Sequence, residues 1–142
     1  MKCLRAALWF AVGFCLIFPT AAKDIVVAQT LDLSGLSNLG KDFSNGVRTY
    51  FDSVNARGGV RGRRILFVQL DDSGRAADAA TNVEKLLQDN DVDAMIAPTS
   101  EETLLAAANA PRVRASGLMM VGAPTGADLE RAGVAEIGRA HV

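Results

Sequence analysis

Histidine and cysteine are nearly absent from this chain, and the few present lie outside its body. The one histidine is His141, next to the last residue, and the two cysteines are Cys3 and Cys15. Without an internal histidine there is no credible pairing of a nucleophile with a general base, and no catalytic residue is expected. No Gly-x-Gly-x-x-Gly follows the first apolar strand and no Gly-x-x-x-x-Gly-Lys-Ser/Thr occurs, which removes the usual support for a dinucleotide or triphosphate site. Excess positive charge is missing too: 15 Lys plus Arg face 16 Asp plus Glu. Neither nucleic acid nor an acidic membrane surface is therefore an expected partner.

A membrane-length apolar run is also lacking. The longest stretch, Ala6 to Phe18, falls short of the roughly 20 residues that a spanning helix needs. Lys2 and Arg5 precede it, and Pro19, Thr20, Ala21 and Ala22 follow. Residues 1–22 read as a Sec-type signal peptide, with Thr20 and Ala22 at the cleavage site and Lys23 opening the mature chain. A retained anchor is the alternative. Cys15 lacks the Leu-Ala-Gly type of context of a lipidated cysteine. Both cysteines leave with the leader, so the exported product needs no disulfide and cysteine ligation of a metal is excluded. No cofactor or metal and, after cleavage, no membrane span is expected. The mature chain then carries 13 basic against 16 acidic residues, since Lys2 and Arg5 go with the leader. With 142 residues there is room for one modest core and not for two full domains plus an export segment.

What is present is a regular alternation of two patterns. Asp24 to Thr30, with Ile25, Val26, Val27 and Ala28 in succession, predicts a strand covered on both faces. Leu31 to Leu39 is a polar, glycine-containing loop. Apolar residues at Phe43, Val47, Tyr50, Phe51 and Val54 predict a helix from about Lys41 to Asn55. Asn55 to Gly62 then stops that helix and turns the chain, with Gly58 and Gly59 suited to positive φ. Ile65 to Leu70 is the second strand and ends at Asp71 and Asp72. Arg75 to Gln88 is the second helix, Val92 to Ala97 the third strand, and Glu101 to Ala115 a third helix that Pro111 must kink or split. Leu118 to Val121 is the fourth strand. This order predicts an α/β fold, a doubly wound parallel sheet. Residues 23–135 are read as the folded unit. The tail, 136–142, has no clear place in the pattern and resembles the conceptual translation of a common sequencing adapter. It is read as doubtful, either a sequencing artefact or a short natural tail, and His141 within it is given no role.

Ligands in such sheets bind at the carboxyl ends of the strands, near the point where strand order reverses. That rule selects Ser34 to Gly40, Asp71 to Gly74, Pro98 to Thr103 and Gly122 to Gly126. Thr99 and Ser100 precede a helix, where a hydroxyl can cap the first turn or cap it and hold a carboxylate as well. Ala123 to Gly126 offers backbone groups and the Thr125 hydroxyl, and an ordinary turn is the competing reading. Asp71 and Asp72 suit a turn cap or, alternatively, an acid pair for metal or phosphoryl chemistry.

Asn55-Ala56-Arg57-Gly58-Gly59-Val60-Arg61-Gly62-Arg63, followed by a strand and Asp71-Asp72, resembles a stretch typical of one family. The chain is similar to the periplasmic substrate-binding proteins of branched-chain amino acid ABC transporters, the leucine/isoleucine/valine-binding type. Leu33-Ser34-Gly35 with Gly40, Gly46, Thr99-Ser100, and Gly117 to Met120 leading to Ala123-Pro124-Thr125 agree in order and spacing. The resemblance covers about Asp24 to Gly133. It implies a type I periplasmic-binding lobe, the first of two in a clamshell, with the second lobe lacking here. It further implies an exported, non-enzymatic protein that hands a small solute, such as an amino acid, to an inner-membrane ABC permease. Carried over to this sequence, Ser100 or Thr99 would grip the solute after the third strand, Ala123 and Thr125 after the fourth, and Ser34 and Ser37 would stand on the cleft rim. Glu101 and Glu102 depart from the small polar residues more usual there, and two acids repel a carboxylate. The rival readings are a ligand-sensing receptor domain on the same fold and a flavodoxin-like phosphotransfer domain using Asp71 and Asp72.

Overall fold

The computed structural model describes residues 23–122 together with Ile137 and Gly138. The expected signal peptide, Ala123, Thr125 and His141 lie outside the described residues. The elements are β1 (Ile25–Leu31), α1 (Leu39–Ala56), β2 (Ile65–Asp71), α2 (Ala76–Asp89), β3 (Ala94–Ile96), α3 (Glu101–Asn109), α4 (Pro111–Ser116), β4 (Met120–Val121) and β5 (Ile137–Gly138). The strands form one parallel sheet in the order β2-β1-β3-β4-β5. The doubly wound parallel sheet expected from the alternation of patterns is what forms.

β1 lies inside the sheet, between β2 and β3, and its run of apolar residues is buried from Val26 to Ala28, as a strand covered on both faces must be. Successive residues turn to opposite faces. On one face, Ser44 and Arg48 of α1 hydrogen-bond Gln69 of β2, and Phe51 meets Phe67 edge to face, with ring centres 5.4 Å apart. On the other face, Ala28, Met95 and Met120 pack with Val83 and Leu86 of α2 and Leu104 of α3. Leu86 and Leu104 are fully buried, each stabilising the fold by about 1.5–3 kcal/mol relative to exposure. Ala79, Ala107 and Ala108, also buried, permit α2, α3 and the sheet to approach closely. Beside α1 the sheet is less covered, leaving an apolar groove of about 420 Å³ lined by Phe43, Val47, Tyr50, Phe51 and Ile96.

Of the two outcomes expected at Pro111, the split is the one that occurs: Ala110 is extended (φ −59°, ψ 135°) and Pro111 opens α4, where its missing N–H costs nothing. Three details differ from the sequence expectation. β3 is shorter than Val92 to Ala97, because the Asp93 carboxylate accepts from the Val26 amide at 2.8 Å and leaves the ladder to start at Ala94. β4 starts two residues late, since Gly117 takes a left-handed turn to close α4 (φ 62°). Ile137–Gly138, in the tail that the pattern left out, pairs parallel with β4 as β5. Two residues carry no periodicity, so only the open edge of β4 reveals their place.

At the joint between α1 and β2, the Gly58 amide donates to the Asn55 carbonyl and the Gly59 amide to the Val54 carbonyl, both at 3.0 Å. That is a Schellman closure, and it requires positive φ at Gly58, which has φ 98°.

Candidate functional site

The order of strands decides which loops face a cleft. β2 lies on one side of β1 and β3 on the other, so the strand order reverses between β1 and β3, and the loops that leave their carboxyl ends diverge there. These loops are Asp32–Asn38 and Ala97–Ser100.

The first loop is bound to its surroundings at several points. The Gly35 amide donates to Asp32 Oδ1 at 2.7 Å, and the Leu33 amide to Asp71 Oδ1 at 2.9 Å. The hydroxyls of Ser34 and Ser73 share a hydrogen bond at 2.9 Å, and the Leu39 amide donates to Ser37 Oγ at 3.2 Å. A Cβ on Gly40 would overlap the Asp32 carbonyl oxygen, so only glycine lets α1 begin so close to the end of β1. Ser34 and Ser37 are exposed on this tethered rim.

In the second loop, Thr99 and Ser100 are both exposed. Ser100 is the N-cap of α3: its Oγ accepts from the Thr103 amide at 3.2 Å and lies 2.6 Å from Thr103 Oγ1, which can donate to the Ser100 carbonyl at 3.1 Å. The capping role is thus present in full, and the Ser100 hydroxyl is engaged by its own helix. Glu101 and Glu102 occupy the first turn, where acids complement the helix dipole.

The acid pair after β2 is structural. Asp72 is 1% exposed, and its two oxygens accept from the Thr30 hydroxyl and the Gly74 amide, each at 2.9 Å. Burial raises its pKa, partly countered by those two hydrogen bonds, while nearby Asp32 and Asp71 push it further up. For Asp71, burial raises the pKa but is outweighed by hydrogen bonds from Leu33, Ser34 and Ser73, which hold it below the ordinary carboxylate value. The Asp71 carboxylate ties the end of β2 to the β1 loop at Leu33, and the Asp72 carboxylate ties it to β1 itself at Thr30, which leaves the phosphotransfer reading without a free acceptor at Asp72.

The family model for periplasmic binding proteins matches residues 24–135. This chain belongs to that family. The resemblance drawn from Asn55 to Arg63 is thereby borne out. Among relatives of the family, a Leu/Ile/Val-binding protein of Rhizobium johnstonii is 28% identical over 90 residues, which make up 63% of this chain and 24% of that protein. The branched-chain amino acid transporter substrate-binding protein of Streptococcus pneumoniae, solved in complex with isoleucine, superposes with a TM-score of 0.64 at 25% identity, covering 70% of this chain and 28% of that one. A solute-binding protein of an ABC transporter from R. palustris, solved in complex with benzoate, gives a TM-score of 0.63 at 27% identity over 75% and 29% of the two chains. The chain therefore spans less than a third of the length of the family members it matches. No helix among the described residues is long and apolar enough to cross a membrane.

Of the six expected binding residues, the fold brings Ser34, Ser37, Thr99 and Ser100 to the carboxyl edge on either side of the switch point, and Ala123 and Thr125 fall outside the described residues. Sequence reasoning missed Gln29, Gln69, Asp32 and Asn82. The signal for the two glutamines was available: each is a lone amide inside an apolar strand run.

Proposed function

We propose that this chain forms the first lobe of an exported solute-binding protein that captures an amino acid or a similar small organic solute for an inner-membrane ABC importer. The observation that carries the reading is the switch point between β1 and β3, opening onto the exposed residues Thr99 and Ser100 at the N-terminus of α3, in a member of the periplasmic binding protein family. Free amides of a first helical turn and flanking hydroxyls suit a carboxylate, the group common to the isoleucine and benzoate bound by two relatives. Glu101 and Glu102 favour a solute that also carries a cation, so a zwitterionic amino acid fits better than a plain carboxylate. Ser34 and Ser37 form the rim, and Ala123 with Thr125 completes the grip from the loop after β4. The lobe does no chemistry: binding energy shifts an open clamshell towards a closed one that the permease reads, in the periplasm.

Isothermal titration of a two-lobed protein carrying this lobe tests the assignment. Isoleucine is expected to bind more tightly than benzoate, and Thr99→Val and Thr125→Val each to weaken isoleucine by roughly tenfold, about 1.4 kcal/mol. Ser100→Ala lowers stability through the lost cap, by about 1 kcal/mol, as well as weakening the solute. Unchanged affinity in all three variants would remove the assigned seat. The 142-residue chain alone should show no thermal shift with micromolar leucine, isoleucine or valine, because half a clamshell holds a solute weakly.

A further inference from the structure

A directed run of hydrogen bonds crosses the sheet beneath α1. Arg48 Nη2 donates to Gln69 Oε1 at 2.6 Å, Gln69 Nε2 donates to Gln29 Oε1 at 3.0 Å, and Gln29 Nε2 donates to the Ala97 carbonyl at 3.3 Å. Every donor points the same way, from a guanidinium on a helix through two strand amides to a backbone oxygen. Gln29 and Gln69 are direct partners in the β1–β2 register, so their side chains meet on one face. Gln29 is fully buried, and burying an amide is costly unless its groups are bonded. The charged end of the run polarises the amides behind it and strengthens each bond in turn. Arg48 is itself held over the Phe67 ring, 5.4 Å from its centre.

The run ends on a residue that two loops share. The Ala97 amide donates to the Val121 carbonyl at 2.7 Å, and a Cβ on Gly122 would overlap the Ala97 methyl. Ala97 leads directly into Pro98, Thr99 and Ser100, and Gly122 into Ala123. We propose that Gln29 and Gln69 are positioning residues that hold Ala97, and with it the starts of the loops after β3 and β4, at a fixed height relative to α1. An aliphatic pair at these positions would pack the sheet equally well but leave the Ala97 carbonyl without its side-chain donor. In so far as those loops seat the solute, this role rests on the function proposed above.

Amide hydrogen exchange on the full chain, read by NMR without any solute, separates the two. Gln69→Glu still accepts from Arg48 and Ser44 but has no hydrogen to give Gln29, and Gln69→Met removes the same donation without adding charge. Both are expected to lose about tenfold in protection at the Ala97 and Thr103 amides, with the amides of Val83 to Leu86 unchanged. Ser44→Ala, which removes only the 2.8 Å side branch to Gln69, is expected to match the wild type at Ala97 and Thr103. Protection at Ala97 and Thr103 that stays unchanged in both Gln69 variants overturns the proposal. So does a loss spread evenly over α2, unfolding of both Gln69 variants included, or an equal loss in Ser44→Ala, since either reduces the run to ordinary packing. Failure of solute binding in a two-lobed protein would leave the exchange result standing, and the reverse also holds.

Discussion

The Thr30 hydroxyl donates to the Asp72 carboxylate at 2.9 Å, with neither side chain reaching solvent. Asn82 of α2 donates to the same Thr30 hydroxyl at 3.1 Å and to the Asp71 carbonyl at 2.9 Å. One buried charge thus joins β1 and β2, and α2 is latched to the joint. Burial, with Asp32 and Asp71 adding to it, raises the Asp72 pKa despite the hydrogen bonds from Gly74 and Thr30.

A raised pKa in the fold means that the folded protein holds this proton more tightly than the unfolded chain. The stabilisation is complete below the unfolded value, about 3.9, and is lost as pH rises through the folded value. Asp72→Asn cannot titrate and keeps one acceptor oxygen where the Thr30 hydroxyl and the Gly74 amide need two, so it should cost about 1–3 kcal/mol at neutral pH. The deficit relative to wild type should widen as pH falls towards the ordinary aspartate value. Urea unfolding at a series of pH values checks this, and a deficit that shrinks on acidification contradicts it.

Asp71 should behave in the opposite sense. Its lowered pKa gives stability that is present above the unfolded value and lost as pH falls through the folded one. Asp71→Asn keeps an oxygen for the Leu33 and Ser73 amides but no charge, so it should be less stable than wild type at neutral pH and indistinguishable from it in strong acid. The same urea series measures both variants.

Two glycines of α1 should respond with opposite signs to the same change. Gly40→Ala sets a methyl against the Asp32 carbonyl oxygen, which is backbone and cannot swing away, so a loss of at least about 1–3 kcal/mol is expected. Gly46→Ala meets nothing within 4 Å and should gain about 1 kcal/mol from helix propensity. Equal effects in thermal or urea unfolding would show that the β1–α1 loop relaxes freely.

Asn55 closes the joint between α1 and β2 with both ends of its amide. Its Nδ2 donates to the Ile65 carbonyl at 2.8 Å and its Oδ1 accepts from the Ile65 amide at 2.7 Å. Asn55→Ala leaves both half-buried backbone groups unpaired and should cost about 1–3 kcal/mol. Amide exchange at Ile65 should rise more than at Val68, which the ladder to β1 still protects.

The joint also shows how far sequence could be read. Gly58 and Gly59 announced the end of the helix because positive φ is a property of single residues, and Pro111 announced a break for the same local reason. The two-pronged role of Asn55 was not legible, since it depends on Ile65 arriving ten residues later at the right height. Among the candidate site residues, Ser100 was legible as a cap from its place before Glu101 and Thr103. The engagement of its hydroxyl by Thr103, and the tethering of Ser34 to Ser73, belong to side-chain geometry that no spacing encodes.

The sequence by itself determined the order of strands and helices and, through that order, the parallel doubly wound sheet, because both rest on periodicities of two and 3.6 residues and on local stops. Tertiary structure alone decided that β1 lies between β2 and β3, that Gln29 stands opposite Gln69, that Asp72 is consumed by Thr30, and that Ile137–Gly138 adds a fifth strand. Each of these depends on register between segments tens of residues apart, where one residue of slip turns every side chain to the other face.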